Sequence, residues 1–202
     1  YAFSAPDLSP LQAWIDQTDS LSIGALKAYC EENGHREPVL ETTLKWSMEV
    51  DENIARIVRN AANFPHTEEV LQKFSEFADV VIVSQTPREA IIREWKEHDI
   101  LKYTVGVCGQ EDGSKSACIR KAMGNRFAPD HVLMIGDAPG DLKAAKDNGV
   151  LFFPVIPNRE EESWEAALEA ASQFKENTYK GSAMEGYLEA FDRALLKEPA
   201  WS

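Results

Sequence analysis

Apolar residues follow two regimes along this chain. Up to about Phe64 they recur at helical spacing. Leu21 to Glu32 and Val39 to Asn60 are the clearest stretches, the second with Leu40, Leu44, Met48 and then Ile54, Ile57 and Val58, which lays an apolar stripe along a helix. Gly34 and Pro38 punctuate the two segments. From Pro65 onward short continuous apolar runs alternate with helical patterns. Thr67 to Phe77 predicts a helix, and Asp79-Val80-Val81-Ile82-Val83 a buried strand. Thr86 then reads as the cap of a helix, with Pro87 at its first position, reaching about His98. A strand around Tyr103 to Val107, a helix from Ser114 to Met123, the strand His131 to Ile135 and a helix from Asp141 to Asn148 follow. The pattern ends with a strand over Val150 to Val155 and two acidic amphipathic helices, about Arg159 to Lys175 and Ser182 to Lys197.

Strands that alternate with helices of this length require crossover connections, and hence a parallel sheet. The fold class expected is α/β: a Rossmann-like parallel sheet with flanking helices over residues 65–202, preceded by a helical domain over residues 1–64. The 202 residues suffice for one good-sized domain or for a core with a small accessory domain.

Candidate chemistry gathers at the strand ends, where open α/β sheets bind ligands. Gly136-Asp137-Ala138-Pro139-Gly140-Asp141 directly follows an apolar run and opens a helix. Two carboxylates brought close repel unless a cation or a proton separates them, which points to a hard metal such as Mg²⁺. The second strand finishes on Ser84, with Gln85 and Thr86 before a helix N-terminus. A hydroxyl beside free backbone N–H groups forms a small anion cradle. Lys115 occupies the first turn of the next helix, where it opposes the helix dipole and sits at a small cost unless it has a task. Hydroxyl, lysine and paired acids thus come from three successive strand ends and are expected to converge on one phosphate and one metal.

Composition narrows the partners. A formal charge of −13 argues against a nucleic-acid surface, which needs clustered Lys and Arg. Cys30, Cys108 and Cys118 are odd in number and lack metal-type spacing, so they read as reduced thiols. No run approaches transmembrane length and no signal peptide is visible, which makes a cytoplasmic location the default expectation and a membrane partner unexpected. The bland readings of other residues are structural. His66 and His131 lack ligand spacing. Trp46, Trp95 and Trp164 sit at helical spacing and are expected to pack. Glu160-Glu161-Glu162 is a helix start favoured by the dipole. Asn158 and Arg159, just after the last strand, are candidates for touching substrate.

The set Ser84, Lys115, Gly136, Asp137 and Asp141 resembles the haloacid dehalogenase-like hydrolase superfamily, most of whose members are phosphatases. The resemblance covers roughly Pro65 to Pro157. It implies that Ser84, with Gln85 beside it, binds the phosphoryl group. It implies that Lys115 steadies the nucleophile and the phosphate charge, that Asp137 ligates Mg²⁺ and that Asp141 supports the metal site. The helical first third looks like the cap inserted after the first motif in many members. That first motif is Asp-x-Asp at the end of the first strand, its first Asp the nucleophile and its second the general acid/base. The nearest text here is Asp7-Leu8-Ser9, which has no apolar strand before it and places Ser9 where the second acid belongs. The expectation is therefore that the nucleophile segment lies outside the chain as given. In the family that strand lies between those ending at Ser84 and Asp137, so its loss should leave two strands with unpaired edges. Two functions follow from the resemblance. One is an Mg²⁺-dependent phosphatase acting on a small phosphorylated metabolite, with dehalogenation or phosphonate cleavage as variants of its chemistry. The other is a non-catalytic relative that binds a phosphorylated ligand or a protein partner. Substrate and oligomeric state are not legible.

Overall fold

The structure is a computed structural model that describes residues 6–18, 21–33, 36–57 and 62–195. It divides into two compact units, Tyr1–Ala61 and Ala62–Ser202. In the first, α1 (Ser9–Gln17), α2 (Ile23–Glu32) and α3 (Pro38–Ile57) surround Trp14, Leu26, Cys30, Leu40 and Leu44, all buried. The Ser22 hydroxyl caps α2 by accepting from the Ala25 amide at 3.2 Å. Helix α1 is an addition to the sequence reading: Leu11, Trp14 and Ile15 span only two turns and carry too few repeats to show a period. The predicted end of the α3 segment, residues 58–60, lies outside the described residues. Trp46, expected to pack, is instead 63% exposed on α3, because it falls outside the Leu40–Leu44 stripe.

The second unit runs α4 (Thr67–Ser75), β1 (Val81–Val83), α5 (Arg88–Glu97), β2 (Gly106–Cys108), α6 (Lys115–Met123), β3 (Leu133–Gly136), α7 (Pro139–Asn148), β4 (Leu151–Pro154), α8 (Glu160–Lys175) and α9 (Ser182–Ala194), with single 3₁₀ turns before β2, α6 and β3. Strands β1 and β2 pair in parallel, Val81 opposite Gly106, and β3 and β4 pair in parallel, Leu133 opposite Leu151. Among the described residues these are two separate two-stranded sheets, so β1 and β3 each keep one edge without a strand partner.

Both faces of the β3–β4 sheet are covered. Phe153 packs with Val70 and Phe74 of α4 and with Ala167, Ala170 and Ala171 of α8, and Leu133 and Ile135 of β3 join the same cluster. Phe152 packs on the opposite face with Ile119 of α6, Ala144 and Ala145 of α7 and Phe191 of α9, and Met134 joins it there. The alternation of neighbouring residues between two cores is the period-2 signature of a strand buried on both sides. The buried Tyr179 hydroxyl donates to the Phe152 carbonyl at 3.0 Å and ties the segment after α8 to β4. Burial, with Tyr187 beside it, pushes the Tyr179 phenol well above its ordinary value.

Several boundaries differ from the sequence reading. The strand expected at Tyr103–Val107 begins at Gly106, because Leu101–Tyr103 closes a 3₁₀ turn and Val105 is 67% exposed. Thr86 does not cap α5. Pro87 is the residue before its first turn, and the Thr86 amide donates to Ser84 Oγ at 3.1 Å. Helix α7 starts two residues earlier than expected, with Pro139 at its first position, where its missing N–H costs nothing. Helix α9 ends at Ala194, and residues 196–202 lie outside the described set. Among the described residues no helix is long and apolar enough to cross a membrane.

Candidate active site at the strand ends

The carboxyl ends of all four strands lie on one side of the second unit, and a chain of short contacts establishes it. The Ser84 amide donates to the Cys108 carbonyl at 3.0 Å, so β1 and β2 end together. Gln85 Nε2 donates to the Gly113 carbonyl at 3.2 Å, joining the loop after β1 to the loop after β2. Two residues further on, Lys115 opens α6, and its ammonium pairs with Asp141 Oδ1 in the first turn of α7. That pair places the end of β2 beside the end of β3.

Each of the sequence-predicted residues has a distinct setting. Ser84 is half-buried, and its hydroxyl oxygen accepts from the Thr86 N–H; with the Arg88 N–H donating to Glu111 at 3.1 Å, neither amide is free as the expected cradle requires. Asp141 is buried, its side chain 3% exposed, while that of Lys115 is 26% exposed. Both Asp141 oxygens are engaged, because Oδ2 accepts the Ala138 N–H at 3.1 Å. This N-terminal capping bond satisfies an amide that the helix leaves open. Gly136 has to be glycine, since a Cβ there would lie 2.5 Å from Asp141 Cβ. Asp137 is exposed at the end of β3, and its carboxylate makes no hydrogen bond or ion pair among the described residues. Asn158 takes a left-handed backbone (φ 64°) with its amide held by Glu160, and the Arg159 guanidinium is paired with Glu162.

Asp112 is the organising residue that sequence reading passes over. Its side chain is 8% exposed and collects the Gly109 N–H at 2.9 Å, the Lys121 ammonium at 3.2 Å and the Arg88 guanidinium. These donors, the Gly109 amide foremost and then Lys121 and Arg88, hold its carboxyl below the usual carboxylate range. Arg88 begins α5, directly after the Ser84 loop, and Lys121 belongs to the helix that Lys115 opens. Asp112 therefore clamps the serine loop to the lysine helix. The Gln110 amide adds a bond to the Thr86 carbonyl at 3.0 Å, and a Cβ on Gly109 would lie 2.7 Å from the Arg88 nitrogen. The available signal is the Gly109-to-Gly113 spacing, which marks a tight loop. Behind it, burial followed by the neighbouring Cys108 pushes the Cys118 thiol up to about 11, and all three cysteines are free and buried.

Asp7 does not end a strand. Its Oδ1 accepts from the Ser9 amide at 2.9 Å and the Ser9 hydroxyl at 2.6 Å, an Asx turn that starts α1. An open cavity of about 530 Å³ lies elsewhere in the second unit, beside β2 and the segment before it, with Ile92, Lys96 and Val105 in its lining.

The donor set bears on metal binding. Among the described residues no three His, Cys, Asp or Glu side chains cluster closely enough to hold a metal ion. Asp141 is committed to Lys115 and the Ala138 amide, which leaves Asp137 as one free carboxylate. The residues present thus fit a single ligand to a largely hydrated cation and do not form a cage.

The serine loop, the lysine and the two aspartates thus come from one set of strand ends in a parallel α/β unit, the place where open α/β sheets in general bind ligands. The family model described as haloacid dehalogenase-like hydrolase matches residues 9–155, and the chain belongs to that family. The match begins at α1 and ends after β4, so it spans both compact units. No curated protein and no solved structure matches the chain.

Proposed function

We propose that this chain is part of an Mg²⁺-dependent phosphatase acting on a small phosphorylated metabolite, seen here without the segment that carries its nucleophilic aspartate. The observation that carries this reading is the linked set of strand ends, Ser84 and Gln85 to Gly113, then Lys115 to Asp141. In this reading the Ser84 hydroxyl and the Gln85 amide hold the phosphoryl oxygens, since the Thr86 and Arg88 amides are engaged by Ser84 Oγ and by Glu111. Lys115 offsets the charge that builds on those oxygens during transfer. Asp141 fixes the Lys115 ammonium and thereby acts as a positioning residue. Asp137 would be the Mg²⁺ ligand, and the metal, when bound, would supply charge neutralisation at the phosphate. The helical first unit would correspond to the family's cap and set the substrate.

One observation favours the second reading, a relative that binds phosphate without turning it over: Lys115 is already neutralised by Asp141, and a second free carboxylate is lacking among the described strand-end residues. The two readings separate in one assay. Hydrolysis of an aryl phosphate is measured with and without Mg²⁺ for the 202-residue chain, for the longer gene product, and for Asp7→Asn and Asp137→Asn in each. The expected result is background turnover by the 202-residue chain, since loss of a nucleophile typically costs several powers of ten. Mg²⁺-dependent turnover by the longer product should fall with Asp137→Asn. Phosphate binding by both forms with turnover by neither establishes the binding protein. Strong turnover by the short chain that Asp7→Asn abolishes would make Asp7 the nucleophile and end the proposal.

A further inference from the structure

Apolar surface is unevenly distributed over this molecule. Of the ten large apolar side chains exposed among the described residues, seven belong to the first unit, the smaller of the two. Part of that surface is ordered. In α3 Trp46 is 63% exposed, Ile54 53% and Ile57 72%, and with the half-buried Val50 they fall at successive spacings of four, four and three residues. At about 3.6 residues per turn these four side chains share one face of the helix. The stripe that builds the core of the unit is a different one. Among the described residues that core takes Val39, Leu40 and Leu44 from α3, and Leu40 and Leu44 lie roughly a quarter-turn round the helix from the Trp46 line. Helices α1 and α2, nine and ten residues long against twenty, pack on the first half of α3 and leave the Trp46 line bare.

The residues beside this line decide what fits it. By the same helical period Glu49, Asn53 and Arg56 border one edge, and Ser47 and Asp51 border the other. A helix that meets a copy of itself across a perpendicular two-fold axis runs antiparallel to it, and like edges then face each other. With the axis crossing beside Glu52 and Asn53, Val50 meets the partner's Ile54 and Trp46 meets the partner's Ile57. Glu49 meets the partner's Arg56, and symmetry repeats each contact. The face is thus complementary to itself in apolar pattern and in charge. A parallel pair would instead turn Glu49 toward the edge that carries the partner's Asp51, like charge against like. Among the described residues both charges have only neighbours on their own helix: Glu49 pairs with Lys45 at 3.8 Å, and Arg56 donates to Asn53 at 2.6 Å. Other occupants fit less well. The face is convex and offers a small ligand no pocket, and acids on both edges repel an anionic membrane surface.

We infer that α3 is the interface of a homodimer, in which two copies of this chain pair antiparallel through Trp46, Val50, Ile54 and Ile57, with reciprocal Glu49–Arg56 ion pairs along one edge. Area sets the strength. Four side chains of this size with their polar border remove about 1,000 Å² from solvent over both copies, the lower limit for a specific interface. The dimer is therefore reversible, with a dissociation constant on the order of micromolar. The edge pairs fix the orientation and add little affinity, because they stay exposed to solvent. The inference uses the first unit alone and stands independently of the phosphatase reading.

The test is sedimentation equilibrium of the 202-residue chain from about 1 to about 300 μM at low salt. Wild type should pass from monomer to dimer across this range. Ile54→Lys should weaken association at least tenfold and leave the helical content seen by circular dichroism unchanged, because Ile54 is exposed in the single copy. Glu49→Arg and Arg56→Glu should each weaken it about threefold, and the two together should restore it to within about twofold of wild type. Hydroxyl-radical oxidation of Trp46, read by mass spectrometry, should be fast in the dilute monomer and at least fivefold slower where the dimer dominates. A chain that stays monomeric throughout, or a dimer that Ile54→Lys leaves intact, overturns the inference. Protection of Trp46 already in the monomer overturns it as well, since another part of the chain would then cover the face. Single reversals without effect, or a double reversal that does not restore association, overturn the antiparallel pairing.

Discussion

The Lys115–Asp141 pair allows a prediction in which the two partners are unequal. Lys115→Met removes the cation and leaves the Asp141 carboxylate, 3% exposed, with the Ala138 amide as its remaining partner. Breaking a buried pair from the cationic side costs roughly 3–5 kcal/mol. Because a quarter of the Lys115 side chain reaches solvent, water can partly replace it, and the lower end, about 3 kcal/mol, applies. Removing a cation from a helix N-terminus returns about 0.5 kcal/mol. Asp141→Asn keeps an acceptor for the Ala138 amide and leaves an ammonium that can turn toward water. Its cost is that of one weakened hydrogen bond, about 1 kcal/mol, plus about 0.5 kcal/mol of lost dipole interaction. The single variants should therefore differ by about 1 kcal/mol, with Lys115→Met the worse, and the double variant should cost less than their sum. Exchange free energies at the buried Ala144 and Ala145 amides of α7 report on this helix without assuming that the two compact units unfold together. Equal costs, a reversed order, or strict additivity would refute the reasoning.

Two other perturbations follow from the same end of the sheet. Gly136→Ala places a Cβ 2.5 Å from Asp141 Cβ, and the forced shift should cost about 1–3 kcal/mol; a thermal midpoint of the second unit within 1 °C of wild type would refute it. Asp112 titrates below its ordinary value of 3.8, so its contribution is present above that pH and is lost as pH falls through the lower folded value. Wild type should lose stability to Asp112→Asn at neutral pH and converge with it under acid, as measured by denaturant midpoints from pH 7 to pH 2, whereas a gap constant with pH would show that Asp112 is not the group responsible.

The parts of this molecule that sequence displayed are those set by local chemistry. Apolar runs of four or five residues between helical patterns marked β1, β3 and β4. Gly136-Asp137 and Lys115 stood out because an acid after a buried strand and a cation at a helix start each conflict with local preference. Residues whose position depends on distant partners stayed hidden. Tyr103, Thr104 and Val105 have strand-forming side chains, yet β2 begins only at Gly106, the residue that pairs with Val81. Thr86 has the chemistry of a cap, but Ser84 Oγ takes its amide and Gln110 its carbonyl. Asp112 looks like any loop acid until Gly109, Arg88 and Lys121 are brought to it from three elements.

The division of the strands into two parallel pairs also bears on the order in which this chain folds. Within each pair the second strand follows the first after a single helix, α5 in one and α7 in the other. Each pair can therefore close from contacts near in sequence, the kind that form early. Nothing in either pair has to wait for the other. Helix α6 is the joint, contributing Ile119 to the β3–β4 core while resting on β1. Its docking is the step at which two locally formed units become one cooperative body, and substitutions at Ile119 should alter that late step while leaving the two units' own formation untouched.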